Sequence, residues 1–245
     1  MGELLVLWDV DYTLVNAGGL GTRLYEDVFR EMFGRELPAV APKAGRTDRA
    51  ITLDTLELAG VAEPRGRVDD FLAALARRVT AEDGTATAHV RALVGAQAAV
   101  AALAGAGLRQ SVLTGNIRPL AALKLRAAGL GEHLDLDVGA YGDVHEVRAE
   151  LEPVARQAAA LAYGADFVGP STVLVGDTPL DVAAALAAGA RAVGVATGSF
   201  SAAEIAAAGA HAVLPDLTDA ALVLAAVTGA FTGLADGAAR APSRR

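Results

Sequence analysis

The sequence predicts an α/β protein with a doubly wound parallel sheet and an inserted α-helical cap domain. Short apolar runs recur along the chain, and each one ends in small or polar residues and leads into a helical pattern. Strands that alternate with helices and are rich in β-branched residues form parallel sheets covered on both faces. One long segment after the first apolar run is helical throughout, without a convincing strand, and this predicts the insertion.

Six apolar runs are predicted strands, at residues 4–8, 109–113, 134–138, 173–175, 192–196 and 210–214. Within the insertion, helical patterns separated by Pro and Gly cover residues 21–33, 46–59 and 68–80. We therefore predict a core formed by residues 1–15 and 88–231 and a cap formed by residues 16–87. The small, polar segment 232–245 is predicted to be a disordered tail.

The composition and net charge of the chain exclude several classes of function. The net charge of −8 argues against binding to a nucleic acid polymer or to an anionic membrane. The longest uncharged stretch, residues 92–108, is mostly Ala and Gly, whereas a membrane span needs about 20 strongly apolar residues, so we expect a core-packed helix there. The first apolar run is too short for a signal peptide and carries Glu3 instead of a basic segment. The absence of cysteine excludes disulfides, thiolate catalysis and cysteine metal sites, and is compatible with the cytoplasmic location that we expect. A monomer and a homodimer both stay open.

Two carboxylates follow the first predicted strand. Asp9 and Asp11 stand one residue apart in the stretch WDVDYTL. On an extended backbone, residues i and i+2 face the same side. Like charges 4 Å apart repel by roughly 4 kcal/mol even at an effective dielectric of 20. Such a pair has no packing rationale, so we expect a cation, a shared proton or a special turn to relieve it.

Further polar residues follow other predicted strands: Thr114, Gly115 and Asn116 after the second, and Asp177 and Asp181 after the fourth. Ligands of a doubly wound sheet bind outside the carboxyl ends of its strands, so these groups should converge. Carboxylate and carbonyl ligands without nearby histidine or cysteine predict Mg²⁺. A carboxylate can also attack phosphorus, while a hydroxyl, loop amides and a fixed cation hold the phosphoryl oxygens.

Taken one at a time, several of these residues have a purely structural interpretation. Asp181 lies near the start of a helix that Thr178 and Pro179 would begin, so it could serve only as a helix cap. Asn116 could likewise be an N-cap, and Thr114 could be structural. Arg148, in a helical pattern between the third and fourth strands, could be a solvated charge. Only together do they indicate chemistry.

Three segments carry a family resemblance. LLVLWDVDYTL, SVLTGN and VLVGDTPLDVAAALAAGARAVGVATG resemble motifs one, two and four of the haloacid dehalogenase superfamily, and most of all its phosphoglycolate phosphatase-like members with a helical, C1-type cap. The resemblance covers about residues 3–217. It implies a Rossmann-like core and a Mg²⁺-dependent phosphatase that acts on a small phosphorylated metabolite.

The resemblance also implies roles. Asp9 matches the nucleophile that becomes the aspartyl-phosphate, and Asp11 matches the general acid/base. Metal ligands would be the Asp9 carboxylate, the backbone carbonyl of Asp11 and Asp177, with Asp181 either a second ligand or a partner of one. Thr114 matches the phosphate-binding hydroxyl. The further phosphate-binding candidates are Thr13, Gly115 and Asn116.

The chain departs from the family where motif three normally supplies a lysine. Its only lysines are Lys43, in the cap, and Lys124, which follows motif two by several helical turns. Arg148 is the best substitute, because a guanidinium keeps the charge and can hold phosphate in a fork. Arg156 is a weaker candidate. A chain without this cation would be impaired, which keeps open a binding protein that has lost turnover.

Two further expectations concern the reaction and its specificity. Asp11 favours phosphate esters, because dehalogenases and phosphonate hydrolases of the superfamily lack it; a phosphomutase would retain it and is the alternative. The stretch AGRTDRAI resembles a cap loop that reaches the substrate, with Arg46 and Asp48 nearest. A helix N-terminus capped by Thr47 or Asp48 is an equal interpretation. Phosphoglycolate, a sugar phosphate and a nucleotide monophosphate all fit.

Overall fold

The computed structural model describes residues 3–81 and 87–234. Its strands are β1 (Leu5–Trp8), β2 (Val15–Asn16), β3 (Arg91–Ala92), β4 (Arg109–Val112), β5 (Thr172–Gly176), β6 (Arg191–Val195), β7 (Ala212–Leu214) and β8 (Gly233–Leu234). Within these residues, six strands form a parallel sheet in the order β4-β1-β5-β6-β7-β8. The predicted α/β fold class is confirmed.

Helices cover the sheet and form the insertion. They are α1 (Leu20–Phe33), α2 (Asp48–Leu58), α3 (Pro64–Thr80), α4 (Ala96–Gly105), α5 (Arg118–Ala127), α6 (Leu151–Tyr163), α7 (Pro179–Ala187), α8 (Ala202–Ala207) and α9 (Ala220–Thr228). None of the helices in the described parts of the chain is long and apolar enough to cross a membrane.

Strand β1 lies at the centre of the core. Its side chains alternate between two hydrophobic clusters, with Val6 and Trp8 in one and Leu5 and Leu7 in the other, because successive residues of a strand face opposite sides of the sheet. The buried indole of Trp8 donates a 3.0 Å hydrogen bond to Gln110 on β4. A strand buried on both faces explains the unbroken apolar run.

The insertion is helical, as predicted. The cap helices, α1 to α3, occupy the predicted helical stretches, although α3 begins at Pro64, where proline is favoured in the first turn. Strands β2 and β3, on either side of the cap helices, pair antiparallel. The division into a core and a cap at residues 16–87 remains an interpretation, and residues 82–86 lie outside the described part of the chain.

Two sequence expectations differ from the structure. The strand predicted at residues 134–138 is wrong: Asp135 accepts a hydrogen bond from the Asp137 amide, a turn that breaks extended geometry, and the sheet gains only an isolated bridge between Leu113 and Ala140. The predicted tail begins too early, because Gly233–Leu234 pairs with β7 as the last strand. Residues 235–245 lie outside the described part.

Candidate active site

The carboxyl ends of three neighbouring strands meet at one cavity. Asp9 and Asp177 directly follow β1 and β5, and Thr114 lies two residues beyond β4. Because β1 pairs with both neighbours, the three side chains come together as predicted. The cavity has a volume of about 580 Å³, and the predicted site residues that line it are Asp9, Asp11, Arg46, Asp48, Thr114, Gly115, Asn116, Arg148 and Asp177. Thr13 and Asp181 are buried beside it.

Three buried carboxylates form an acidic cluster. One oxygen from each of Asp9, Asp177 and Asp181 lies within 4.8 Å of the other two. Burial, with repulsion from the neighbouring carboxylates, raises the pKa of Asp9 to about 7 and that of Asp177 to about 8. Gly198 packs against the cluster so closely that a Cβ there would lie 1.7 Å from Asp177 Oδ2. Crowded oxygen ligands that favour neutral forms are suited to a divalent cation.

Arg148 lies inside this cluster. Its Nη2 atom donates to Asp9 Oδ1 at 2.6 Å and to the Leu113 carbonyl at 3.1 Å, and lies 2.6 Å from Asp181 Oδ1. The guanidinium is buried, yet these carboxylates raise its pKa despite the opposing effect of burial. The weaker candidate, Arg156, instead lies beside Glu152 on α6, 3.6 Å away.

Asp181 combines both of the roles that the sequence left open. Its Oδ2 atom accepts hydrogen bonds from the backbone and hydroxyl of Thr178, which in turn caps the Asp181 amide at the start of α7. Its Oδ1 atom pairs with Arg148. Both oxygens are thus engaged by the protein, so Asp181 fits the role of a partner that holds Arg148 better than that of a metal ligand.

Asp11 faces different partners from Asp9. Its oxygens accept from Lys124 Nζ at 2.8 and 2.7 Å, and Oδ2 also accepts from Asn116 at 2.7 Å. Burial alone would raise the pKa of Asp11, but the charge and hydrogen bonds of Lys124, with the Asn116 bond, outweigh it and lower the pKa. A cation therefore relieves the repulsion expected between Asp9 and Asp11.

A tight turn follows the two carboxylates. Tyr12 has a positive φ of 59°, which is uncommon for a bulky side chain. The Tyr12 amide donates to the Val15 carbonyl at 2.8 Å, and the Tyr12 carbonyl accepts from the Thr197 hydroxyl at 2.5 Å. Strand β1 ends at Trp8, and Asp11 forms an isolated bridge with Val15, so the strand does not continue through the two carboxylates.

The cap-loop candidates line the cavity with their polar groups engaged. Arg46 pairs with Asp54 at 2.6 Å. Asp48 accepts from the Ile117 amide at 2.8 Å and from the Tyr25 hydroxyl at 3.0 Å, and burial raises its pKa to about 6. Thr47 caps α2, accepting from the Ala50 amide at 3.2 Å. Asp48 therefore holds the start of α2 against the loop after β4.

Backbone segments from the cap loop and the core pack in direct contact here. The Asp48 amide donates to the Gly115 carbonyl at 2.6 Å, and a Cβ on Gly115 would lie 1.8 Å from the Arg46 carbonyl. A Cβ on Gly142 would similarly lie 1.8 Å from the Gly115 carbonyl. Glycine is required at both positions because only a hydrogen atom fits between the two backbone segments.

Comparison with known proteins identifies the family. The family model described as haloacid dehalogenase-like hydrolase matches residues 6–186, which is most of the chain. The chain belongs to this family. A curated relative, "Phosphoglycolate phosphatase, plasmid" of Cupriavidus necator, is 32% identical over 186 residues, covering 75% of this chain and 77% of the relative. This confirms the resemblance and the prediction of a phosphatase.

Solved structures of similar fold include other hydrolases. A predicted phosphatase from Clostridium acetobutylicum has a TM-score of 0.65 at 17% identity, covering 91% of this chain and 99% of that one. A haloacid dehalogenase family hydrolase from Deinococcus radiodurans, solved with bound phosphate and sodium, has a TM-score of 0.53 at 29% identity, covering 94% and 96% of the two chains. The fold that this chain shares with these structures therefore includes almost all of its residues.

Lys124 is the residue of this hydrolase site that sequence reasoning missed. It was set aside because it follows the second motif by several turns, yet its side chain is buried and lines the cavity. One signal could have found it: Lys124 lies four and three residues after Leu120 and Ala121, on the buried face of α5. A lysine on the apolar face of a helix requires a partner.

Proposed function

We propose that this hydrolase cleaves a small phosphate monoester with the help of Mg²⁺, through an aspartyl-phosphate on Asp9. The supporting observation is the position of the Asp9 carboxylate, at the end of β1 and in contact with Arg148 inside a cavity. Arg148 holds Oδ1, which leaves Oδ2 to attack phosphorus. The cavity of about 580 Å³ supports a small phosphorylated metabolite as substrate.

The acidic cluster supports a magnesium site. Asp9, Asp177 and the backbone carbonyl of Asp11 would hold the ion, while Asp181 would act through Arg148. Hard carboxylate and carbonyl oxygens, with raised pKa values at Asp9 and Asp177, match the preference of Mg²⁺. When bound, Mg²⁺ would neutralise charge on the phosphoryl oxygens and help to orient them.

Thr114 is suited to donate to a phosphoryl oxygen. Its hydroxyl oxygen accepts from the Asn116 backbone at 3.3 Å and from the Asn116 side chain at 2.9 Å. A hydroxyl has two acceptor sites and one hydrogen, so both acceptances direct the hydrogen elsewhere. Thr114 lines the cavity, where Arg148 supplies positive charge for the same phosphoryl group.

The two aspartates divide the proton and phosphorus chemistry. In the first step, a bond forms between Asp9 Oδ2 and phosphorus, the ester P–O bond breaks, and Asp11 gives a proton to the leaving oxygen. In the second step, water attacks phosphorus, its proton passes to Asp11, and the bond to Asp9 breaks. Asp11, one-third exposed toward the cavity, can serve both steps.

A direct assay tests this proposal. Purified protein should release phosphate from aryl and alkyl phosphates, lose activity with a chelator and recover it with Mg²⁺. Asp9→Asn should abolish turnover, whereas Asp166→Asn, at an exposed position, should retain it. Activity in Asp9→Asn, or full activity without any divalent cation, would contradict the mechanism. Transfer of the phosphoryl group to a second substrate hydroxyl, without release, would instead indicate the phosphomutase alternative.

A further inference from the structure

We propose that Lys124 is a positioning residue that holds the Asp11 carboxyl group in place for proton transfer to the leaving oxygen. This inference rests on the proposed phosphatase function. It assigns to the reaction a lysine that stands outside the segments carrying the family resemblance.

Lys124 is buried and contacts both oxygens of the Asp11 carboxylate. Its Nζ atom lies 2.8 and 2.7 Å from the two Asp11 oxygens and 2.7 Å from Asn116 Oδ1. The Lys124 side chain is 4% exposed and that of Asp11 is 34% exposed. The ammonium group is therefore saturated by protein acceptors, while Asp11 retains access to the cavity.

Asp11 needs such a support because of its position in the chain. It lies in the turn that contains Tyr12, beyond the last hydrogen-bonded residue of β1. Arg148, already shared by Asp9 and Asp181, lines the same cavity as Asp11. Rotation toward it would add a further carboxylate to the acidic cluster and remove the proton carrier from the leaving oxygen.

Lys124 provides a rigid anchor against that rotation. It lies within α5, whose Leu123 and Leu125 are packed in the core on either side of it. Together with Asn116, it fixes both oxygens of Asp11 by three hydrogen bonds. A general acid must be within hydrogen-bond reach of its proton acceptor, so the loss of this anchor should affect the proton transfer more than substrate binding.

The test compares two substrates in Lys124→Met. An alkyl phosphate needs a proton on its leaving oxygen, whereas 2,4-dinitrophenyl phosphate releases 2,4-dinitrophenolate, a stable anion that leaves without one. The parameter kcat/KM reports the first phosphoryl transfer and not the later hydrolysis of the intermediate. We expect kcat/KM to fall at least about tenfold further for the alkyl ester than for the dinitrophenyl ester. A defect in folding or in phosphate binding would lower both equally.

A second variant and one control complete the test. Lys124→Gln keeps a side-chain amide that can donate hydrogen bonds and should show a smaller difference between the substrates; it also replaces Lys124→Met if that variant is unstable. Arg126→Met removes a positive charge from an exposed position of the same helix and should leave both substrates unaffected. An equal loss on both esters, or a gain on the alkyl ester, would overturn the inference. Failure of the wild-type protein on both esters would instead contradict the proposed function.

Discussion

Arg148 Nη2 lies 2.6 Å from an oxygen of Asp9 and 2.6 Å from an oxygen of Asp181, with all three side chains buried. One guanidinium thus compensates two of the three carboxylates in the acidic cluster. Because Asp181 is fixed in the capping box that Thr178 begins at the start of α7, the position of Arg148, and through it that of Asp9, depends on the start of that helix.

Removing this guanidinium should affect both activity and stability. We expect Arg148→Ala to lower kcat/KM at least about a hundredfold, because a preorganised cation is lost from the phosphoryl site. Leaving two buried carboxylates unpaired should cost about 3–5 kcal/mol of unfolding free energy without Mg²⁺, measured by urea denaturation. Arg148→Lys should recover part of the lost kcat/KM and part of the lost unfolding free energy. Arg156→Ala should retain turnover; the reverse pattern would reassign the motif-three role to Arg156.

Metal-free stability should depend on pH in a defined direction. The pKa values of Asp9 and Asp177 rise in the folded protein from 3.8 to about 7 and about 8. The folded state therefore binds more protons than the unfolded state in this range, and stability falls as the pH rises through the folded values. Thermal denaturation in a chelator should show a melting temperature that decreases by on the order of 10 °C from pH 6 to pH 8.5.

Mg²⁺ should reverse this decrease, since it binds the ionised carboxylates. The rise in melting temperature on adding Mg²⁺ should be larger at pH 8.5 than at pH 6. A metal-free melting temperature that increases with pH, or a Mg²⁺ effect independent of pH, would contradict the assignment of the acidic cluster as the metal site.

Asp177→Asn should separate stability from metal binding. Removing one charge from the acidic cluster should raise the metal-free melting temperature at pH 8.5, because the amide keeps the shape without the repulsion. The same variant should lose most of the Mg²⁺-dependent stabilisation and most of the turnover. Asp166→Asn, at an exposed position, should reproduce the wild-type response to Mg²⁺. A wild-type Mg²⁺ response in Asp177→Asn would exclude Asp177 as a ligand.

Gly115→Ala should disrupt the contact between the cap loop and the core. The added methyl group would lie 1.8 Å from the Arg46 carbonyl, so one backbone segment must move. We expect a loss of about 1–3 kcal/mol in unfolding free energy and a rise in KM. Gly105→Ala, where a Cβ meets nothing within 4 Å, should be neutral or stabilising. Equal effects of the two substitutions would refute the close contact.

Much of this site could be predicted from the sequence, and the reason is topological. Polar residues that follow apolar runs must gather at one edge of a parallel sheet, which brought Asp9, Thr114 and Asp177 together without any contact information. Arg148 was identified through the family resemblance, as the best substitute for the motif-three lysine. The convergence of Asp9, Thr114 and Asp177 needed only the order of elements along the chain.

The features of the site and the fold that the sequence did not predict depend on contacts that no local sequence pattern encodes. Lys124 donates a hydrogen bond to Asp11, although the two residues lie 113 positions apart in the sequence. Arg46 lines the cavity, and its pairing with Asp54 on α2 is a contact that the sequence does not predict. The apolar pattern at residues 134–138 predicted a strand, yet the hydrogen bond between Asp135 and Asp137 favoured a turn. Side-chain pairing and turn chemistry, rather than hydrophobic periodicity, decided these cases.

The placement of β1 between β4 and β5 means that the site is complete only in a polypeptide that contains all three strands. A nascent chain would acquire Asp9, the proposed nucleophile, early, but the groups proposed to act with it would arrive only after β4 and β5 had docked in register. Recovery of turnover after dilution from denaturant should therefore trail the regain of helical circular dichroism and coincide with completion of the central sheet.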